Sequence, residues 1–314
     1  MPEIITIVGT SIKKGENVKL ELNAARLPSN TMINIPVFVY RAKIDGPVLL
    51  LIAGLHGDEV NGTEIIRRIV ADKTISLKKG TVIVIPILNV FGFLNFSRAV
   101  PDGKDVNRSF PGNNRGSLAS RIAHLFMKEI FPHVDYGLDF HTGGGSRSNY
   151  PQTRCRTDIK AQYDIAKAFG APFMLNSKLR DKSFRKEATL KGKPIIVYEA
   201  GESQRMDEFA IQEGIAGTIR VMNHLGMSNL SVVPASGQIE FKKSKWLRAH
   251  RSGLFRSFIK PGDKVKRNQL LGTIADPFGD FEMKVKSPVD GYIVGLSYAP
   301  VISQGDALMH IGLI

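Results

Sequence analysis

The chain of 314 residues has very little cysteine and tryptophan, and it has no long apolar stretch. Cys155 is the only cysteine, which excludes an intrachain disulfide and a zinc site built from several thiolates. No apolar run reaches the roughly 18 residues that a membrane-spanning helix needs. The N-terminus lacks the basic region, apolar region and small-residue cleavage site of a secretion signal. We therefore expect a cytoplasmic protein that does not associate with membranes.

Acidic residues are also scarce relative to basic ones. The 43 Lys and Arg residues outnumber the 29 Asp and Glu residues, so the formal net charge is +14. Such a charge attracts anions, among them nucleic acids, anionic membranes and carboxylate substrates. The basic residues are spread along the chain, with only short clusters such as that at 242–245, and no basic helix with interleaved aromatic residues is present. We expect a small anionic substrate rather than nucleic acid, and the sequence leaves a homo-oligomer open.

The first two thirds of the chain have the pattern of an α/β protein. Residues 1–46 indicate short strands, and strands then alternate with helices. The predicted strands are 48–53, 81–90, 134–140 and 194–198, and the predicted helices are 63–70, 118–130, 158–169 and 208–225. Because these strands are apolar on both faces, we predict a mixed, mainly parallel sheet with helices on both faces.

The pattern changes after about residue 230, where short strands alternate with turns rich in Gly, Pro and Asp. Residues 253–274 and 291–311 both consist of a strand, a Gly-Asp turn and another strand, which indicates an internal duplication. We therefore predict an α/β domain over 1–232, including the strands of 1–46, and a small all-β domain over 233–314.

Histidine and glutamate side chains lie at the carboxyl ends of three predicted strands. His56 and Glu59 follow the strand 48–53, His141 follows the strand 134–140, and Glu199 follows the strand 194–198. In open α/β sheets the ligand crevice lies just beyond the carboxyl ends of the strands. Two His and one Glu suit a catalytic zinc ion, and a further carboxylate can accept a proton from water. Taken alone, His56 and Glu59 would also fit a helix cap and a first-turn residue.

The long connection over 91–116 carries a second set of candidate residues. Loops of this length in compact domains are usually functional or disordered. Asn107 and Arg108 are well suited to hold a carboxylate, and Arg98 would stabilise an oxyanion. Asp105 is expected to brace the loop or a ligand histidine. The alternative is that these are solvated loop residues.

Four segments occur together in the order and approximate spacing of one known family. They are Gly-Leu-His-Gly-Asp-Glu at 54–59, Asp-Val-Asn-Arg at 105–108, Asp-Phe-His at 139–141 and Glu-Ala-Gly at 199–201. Over about residues 1–230 the chain resembles the succinylglutamate desuccinylase/aspartoacylase family, which has a zinc carboxypeptidase-like fold. The resemblance implies one zinc ion per chain on His56, Glu59 and His141, and it implies Glu199 as general base.

The same resemblance implies further roles in substrate binding. Asn107 and Arg108 would bind the substrate carboxylate, and Arg98 would polarise the scissile carbonyl. Arg154, which follows the His141 loop, is a candidate for the same pocket, with a structural role as the alternative. The C-terminal region resembles the barrel of biotinyl and lipoyl carrier domains. Lys284 is not expected to be a modified lysine, because it lies in the returning strand rather than at the hairpin tip.

These observations favour a zinc-dependent amidohydrolase that deacylates an N-acyl amino acid or a related small amide carrying a carboxylate. One alternative is a metallocarboxypeptidase that binds the terminal carboxylate of a peptide at Arg108. An alternative of another class is a non-catalytic binding or carrier protein built on the C-terminal domain.

Overall fold

The structure, a computed structural model, describes residues 3–72 and 74–314, and its centre is a large mixed β-sheet. Among these residues the α-helices are α1 (Val60–Ala71), α2 (Val90–Leu94), α3 (Leu118–Glu129), α4 (Lys160–Phe169), α5 (Phe184–Leu190) and α6 (Glu208–His224). The strands as far as α6 are β1 (Ile4–Ile7), β2 (Thr10–Lys13), β3 (Asn17–Arg26), β4 (Met32–Arg41), β5 (Val48–Ala53), β6 (Thr81–Ile85), β7 (Tyr136–Gly143), β8 (Arg147–Cys155), β9 (Phe173–Asn176) and β10 (Ile195–Glu202). The strands after α6 are β11 (Ile239–Phe241), β12 (Ser244–Arg248), β13 (Gly253–Ser257), β14 (Lys264–Val265), β15 (Leu270–Ala275), β16 (Glu282–Lys286), β17 (Gly291–Ser297), β18 (Val301–Ile302) and β19 (Ala307–Leu313).

The large sheet has thirteen strands, and its main path runs in the order β12-β19-β17-β8-β10-β7-β5-β6-β4-β3. The central strands β10, β7, β5 and β6 are parallel to one another. On either side of this group, β8 and β4 run antiparallel to it. The prediction of a mixed α/β fold is confirmed, and the parallel part is the centre of the sheet.

Strand β5 shows why helices cover both faces of the sheet. All of its residues are buried. Leu49 and Leu51 belong to the apolar layer formed with α1, α4 and α6, whereas Leu50 and Ile52 belong to the layer formed with α3 and α5. Successive side chains in a strand point to opposite faces, so a strand that is covered on both sides is apolar throughout.

In the described part of the chain, no helix is long and apolar enough to cross a membrane.

The predicted elements differ from the structure in two main respects. The strand predicted over 81–90 is wrong in its second half, because β6 ends at Ile85 before Pro86 and α2 begins at Val90. Proline cannot donate a ladder hydrogen bond, so a strand tends to end beside it. Strands β8 and β9 and helix α5 were not predicted at all. The other predicted helices and strands are present, with their ends displaced by a few residues.

The C-terminal region is all β, as predicted. Strands β13, β15, β16 and β18 form a separate four-stranded sheet, and β17 and β19 belong to the large sheet. The duplication is visible in the turns: Asp263 Oδ2 accepts a hydrogen bond from Lys260 N (2.9 Å), and Asp306 Oδ2 accepts one from Ser303 N (2.8 Å). Lys284 lies within strand β16.

The large sheet continues without a break from the α/β region into the C-terminal region. Strand β17 pairs antiparallel with β8, and the register places Gly295 opposite Asn149. Strand β11 pairs in parallel with β9. The division of the chain at 232/233 remains a prediction.

Candidate metal centre

Three neighbouring parallel strands bring the predicted site residues together. His56 lies in the loop after β5, His141 lies near the end of β7, and Glu199 lies in β10. In the parallel register of β7 and β10, Glu199 is directly opposite His141. All three residues line a cavity of about 590 Å³ at the carboxyl edge of the sheet. This is the edge at which open α/β sheets bind ligands.

The loop that carries His56 and Glu59 is shaped by a close backbone approach. A Cβ atom on Gly57 would lie 1.9 Å from the carbonyl carbon of Gly92, so only glycine fits there. Glu59 is the N-cap residue of α1, but its side chain makes no capping hydrogen bond. Its Oε2 instead accepts a hydrogen bond from Thr142 N at 3.1 Å. The N-cap position is thus held by Glu59 rather than His56, and Glu59 precedes the first turn, so the structure disfavours His56 as a helix cap and Glu59 as a first-turn residue.

The nitrogen and oxygen atoms of His56, Glu59 and His141 converge on one point. The two Nδ1 atoms of His56 and His141 are 3.2 Å apart, and each lies 2.8 Å from a different carboxylate oxygen of Glu59. The three buried residues can each offer a ligand atom within 4.8 Å of the others. Neighbouring ligands of tetrahedral zinc, at bonds of about 2.0–2.1 Å, are about 3.3 Å apart. The donor set and its spacing therefore fit a zinc ion.

A carboxylate lies behind each histidine. His141 Nε2 is 3.1 Å from Asp139 Oδ1 and His56 Nε2 is 3.3 Å from Asp105 Oδ1, which are ion-pair distances without the alignment of a hydrogen bond. Asp139 is fully buried. A carboxylate in this position keeps the proton on Nε2 and leaves the Nδ1 lone pair free for a metal ion.

The electrostatics of the cluster favour added positive charge. Burial alone would lower the pKa of His141, but Asp139 and Glu59 raise that pKa well above its usual value. Burial alone would raise the pKa of Glu59, but His56 and His141 hold it well below its usual value. The carboxylates therefore stabilise positive charge here, whether it is supplied by protons or by a metal ion.

Arg98 lies beside the candidate metal ligands. Its Nη1 is 3.2 Å from His56 Nδ1 and 3.3 Å from Glu59 Oε1. Its Nε and Nη2 donate to Asp105 Oδ2 at 3.0 and 2.8 Å. Asp105 Oδ1 also accepts a hydrogen bond from Asn107 N at 2.7 Å. Asp105 therefore braces the loop and faces a ligand histidine, so both of its expected contacts are present.

Glu199 is held in place by two donors. Asn149 Nδ2 donates to Glu199 Oε2 at 2.6 Å, and Arg154 Nη1 lies 3.1 Å from Glu199 Oε1. Arg154 lines the cavity, as the sequence allowed. The carboxylate of Glu199 is thus fixed beside His141.

Asn107 and Arg108 also line the cavity. Asn107 Oδ1 accepts a hydrogen bond from Phe184 N at 2.9 Å, which ties the long loop to the start of α5. Arg108 has no acidic ion-pair partner within residues 3–72 and 74–314, and it donates to the carbonyl of Asn107. Partial burial, Arg98 and Arg180 lower the pKa of Arg108. An anion near Arg108 would relieve this repulsion.

Arg185 is a cavity residue that the sequence did not single out. Its side chain is only 7% exposed, and Nη2 donates to Lys178 O at 2.9 Å. Its Nη1 has no hydrogen-bond partner among the described residues. Burial and the nearby Arg154 lower the pKa of Arg185 to about 10. Ser183, the N-cap of α5, is a sequence signal that could have indicated this helix.

Comparisons of the sequence find similar proteins. A model of the succinylglutamate desuccinylase/aspartoacylase catalytic domain matches residues 45–225, which is more than half of the chain. The N-alpha-acetyl-L-2,4-diaminobutyric acid deacetylase of Halomonas elongata is 27% identical over 292 residues, covering 88% of this chain and 84% of that protein.

Solved structures share the architecture over nearly the whole chain. The succinylglutamate desuccinylase/aspartoacylase from Rhodobacter sphaeroides has a TM-score of 0.83 and 25% identity, and the match covers 94% of both chains. The product-bound ectoine utilization protein EutE (DoeB) from Ruegeria pomeroyi has a TM-score of 0.86 and 23% identity, covering 100% of this chain and 99% of that one. At 23% identity, the similarity to EutE (DoeB) supports the fold alone.

Proposed function

The chain belongs to the succinylglutamate desuccinylase/aspartoacylase family, and we propose that it is a zinc-dependent hydrolase that deacylates an N-acyl amino acid or a related small amide carrying a carboxylate. The main observation is the convergence of His56, Glu59 and His141 on one point, with Glu199 beside them. The similarity to an N-acetyl amino acid deacetylase supports the same class of reaction.

His56, Glu59 and His141 would hold one zinc ion per chain. Two His and one Glu form the ligand set of many catalytic zinc sites, with one position open. When bound, zinc polarises a carbonyl group and lowers the pKa of a water molecule from 15.7 to roughly 7.

Glu199 is the general base in this proposal. It accepts the proton of the attacking water and then delivers it to the leaving amine. Asn149 and Arg154 contact its two oxygens and so fix the direction of the carboxylate. Arg98, beside the zinc ligands, stabilises the negative charge that develops on the carbonyl oxygen.

Asn107 and Arg108 bind the substrate carboxylate and so orient the amide. Arg108 has its guanidinium at the cavity without an acidic partner in the described chain, and a guanidinium can bind two carboxylate oxygens at once. Arg154 lines the same wall of the cavity and supports the binding of an anion.

Metal analysis combined with a substrate panel tests this proposal. We expect about one zinc ion per purified chain, and turnover of N-acyl amino acids that disappears on chelation and returns with zinc. Faster cleavage of dipeptides would support the carboxypeptidase alternative instead. A zinc-loaded protein that cleaves neither class would support a non-catalytic binding protein.

A further inference from the structure

A second cavity adjoins the zinc cavity. It has a volume of about 520 Å³ and shares Arg154, Ser177, Arg180 and Trp246 with the first. The zinc cavity alone, at about 590 Å³, is already within the range of small-molecule sites, about 300–1,000 Å³. A small acyl amino acid would therefore leave the second cavity unused. We call this second cavity the lysine groove.

The lysine groove is formed where two parallel strands end. Strand β11 pairs in parallel with β9, and Phe241 is opposite Leu175. The segments that follow the two strands therefore emerge at the same edge of the sheet. They contribute Lys178 on one side and Lys242 and Lys243 on the other, and Lys245 follows in β12.

Arg154 is paired with Glu199, but the lysines of the groove have no ion-pair partner in the described part of the chain. None of the lining residues is acidic. Lys178, Lys242, Lys243 and Lys245 make no ion pair within the described residues. Glu240, the acidic residue nearest in sequence, is instead bound by Lys167 at 2.5 Å and by Tyr163 at 3.0 Å. Uncompensated charge of one sign in a cleft attracts the opposite charge.

One buried polar side chain at the groove also has an unpaired nitrogen atom. His310 lines the groove, is 7% exposed and contacts Ser244 Oγ through Nε2 at 2.8 Å. Its Nδ1 has no hydrogen-bond partner among the described residues. Burial and Arg154 lower the pKa of His310 to about 3, so the ring is neutral. Buried polar atoms normally have a partner, so this unpaired nitrogen is an unusual feature of the groove wall.

We propose that the lysine groove binds the acidic tail of the substrate, so that the substrate is the acylated end of a short acidic peptide, whose first side-chain carboxylate takes the place of the amino acid carboxylate at Asn107 and Arg108. The inference rests on the proposed function, because the scissile amide must reach Glu199 in the adjoining cavity. A row of peptide carboxylates matches the four lysines. Nucleic acid is less suitable, because Trp246 is the one large aromatic side chain of the groove and His310 already stacks on it at 4.4 Å.

The test compares three substrates: acetyl-Glu, acetyl-Glu-Ala-Ala and acetyl-Glu-Glu-Glu. We expect the highest kcat/KM for acetyl-Glu-Glu-Glu. The variant K242Q/K243Q/K245Q should lose this preference, by about 3- to 100-fold for three exposed ion pairs, and keep its activity on acetyl-Glu. The preference should also shrink as salt rises from about 0.1 to 1 M, because the Debye length falls from about 10 to 3 Å.

A control variant, K266Q/K284Q/K286Q, removes the same number of charges from exposed residues outside the groove. Equal kcat/KM on the three substrates, or equal losses in the two triple variants, would overturn the groove and leave the deacylase proposal intact.

Direct binding separates this inference from the proposed function. Labelled acetyl-Glu-Glu-Glu should bind to the Glu199→Gln protein, and the groove variant should weaken that binding. If the wild type cleaves no amide but binds the labelled peptide through the groove lysines, the result would support the groove and overturn the hydrolase proposal. Tighter groove-dependent binding of a single-stranded oligonucleotide or of anionic vesicles would overturn the acidic peptide as ligand.

Discussion

Replacing Asp105 with asparagine should weaken zinc binding and turnover through two different contacts. Asp105 Oδ2 accepts both hydrogen bonds of the Arg98 fork, and Oδ1 lies 3.3 Å from His56 Nε2. Asparagine has the same shape, but it has no charge and only one acceptor oxygen. Arg98 faces Oδ2, whereas Asn107 N and His56 Nε2 both face Oδ1, so at least one donor would face the new NH₂ group whichever oxygen it replaces.

The expected magnitude follows from the two contacts. Losing the carboxylate behind a ligand histidine typically costs about 10–100-fold in metal affinity, or about 1.4–2.8 kcal/mol. The ion pair with Arg98, whose side chain is 42% exposed, contributes less, about 0.2–1 kcal/mol. We therefore expect the zinc Kd to rise by about 10–100-fold. At saturating zinc, kcat should remain up to about 5-fold below the wild-type value, because Arg98 is no longer held by residue 105.

Asp139→Asn is the matched control, because Asp139 lies behind His141 at 3.1 Å and is not a partner of Arg98. It should show a similar loss of zinc affinity but recover full kcat at saturating zinc. The assay is a zinc titration in competition with a chromophoric chelator, followed by kcat in excess zinc. Wild-type zinc affinity in Asp105→Asn would refute the contact with His56. Full recovery of its kcat would refute the part assigned to Arg98.

Three further predictions test the other roles. Glu199→Gln should keep its zinc and lose about 10²–10⁴-fold in turnover, because an amide cannot accept the proton; near-normal turnover would place the base elsewhere. Chelation should lower the Tm of the wild type, because a ligand that binds the folded state stabilises it. His141→Ala should bind zinc weakly and show little Tm change on chelation, and an unchanged zinc content would exclude His141 as a ligand. Arg108→Lys should lower kcat/KM for an acyl amino acid more than for its amide, since lysine cannot form the two-pronged contact; equal losses would show that Arg108 does not bind the carboxylate.

The positions of His56, His141 and Glu199 could be predicted because each residue comes shortly after a strand that the sequence predicts. Apolar runs at β5, β7 and β10 indicate buried strands, and parallel strands in one layer end at the same edge. The segment that follows each run must therefore lie at that edge. The register that sets Glu199 opposite His141 is not visible in either segment by itself.

Asn149 and Arg185 could not be predicted in the same way. Asn149 lies in β8, which contains a proline and several polar residues, so its sequence lacks the pattern of a buried strand. The burial of β8 results from pairing with β10 and β17, which are far away in sequence. Arg185 lies in a seven-residue helix, too short for an apolar period to stand out. Both residues are placed by long-range contacts that local sequence does not record.

The pairing of β17 with β8 makes the two predicted domains interdependent. Asn149 donates to Glu199, and a Cβ atom on its register partner Gly295 would lie 2.5 Å from Asn149 Oδ1. The C-terminal strand therefore limits the space in which the amide group that holds Glu199 can move. A truncation at residue 232 would leave β8 without β17 along one edge, and exposed edges of this kind promote aggregation. We therefore expect that the C-terminal region cannot be exchanged as an independent module, since its backbone packs against the side chain that contacts Glu199.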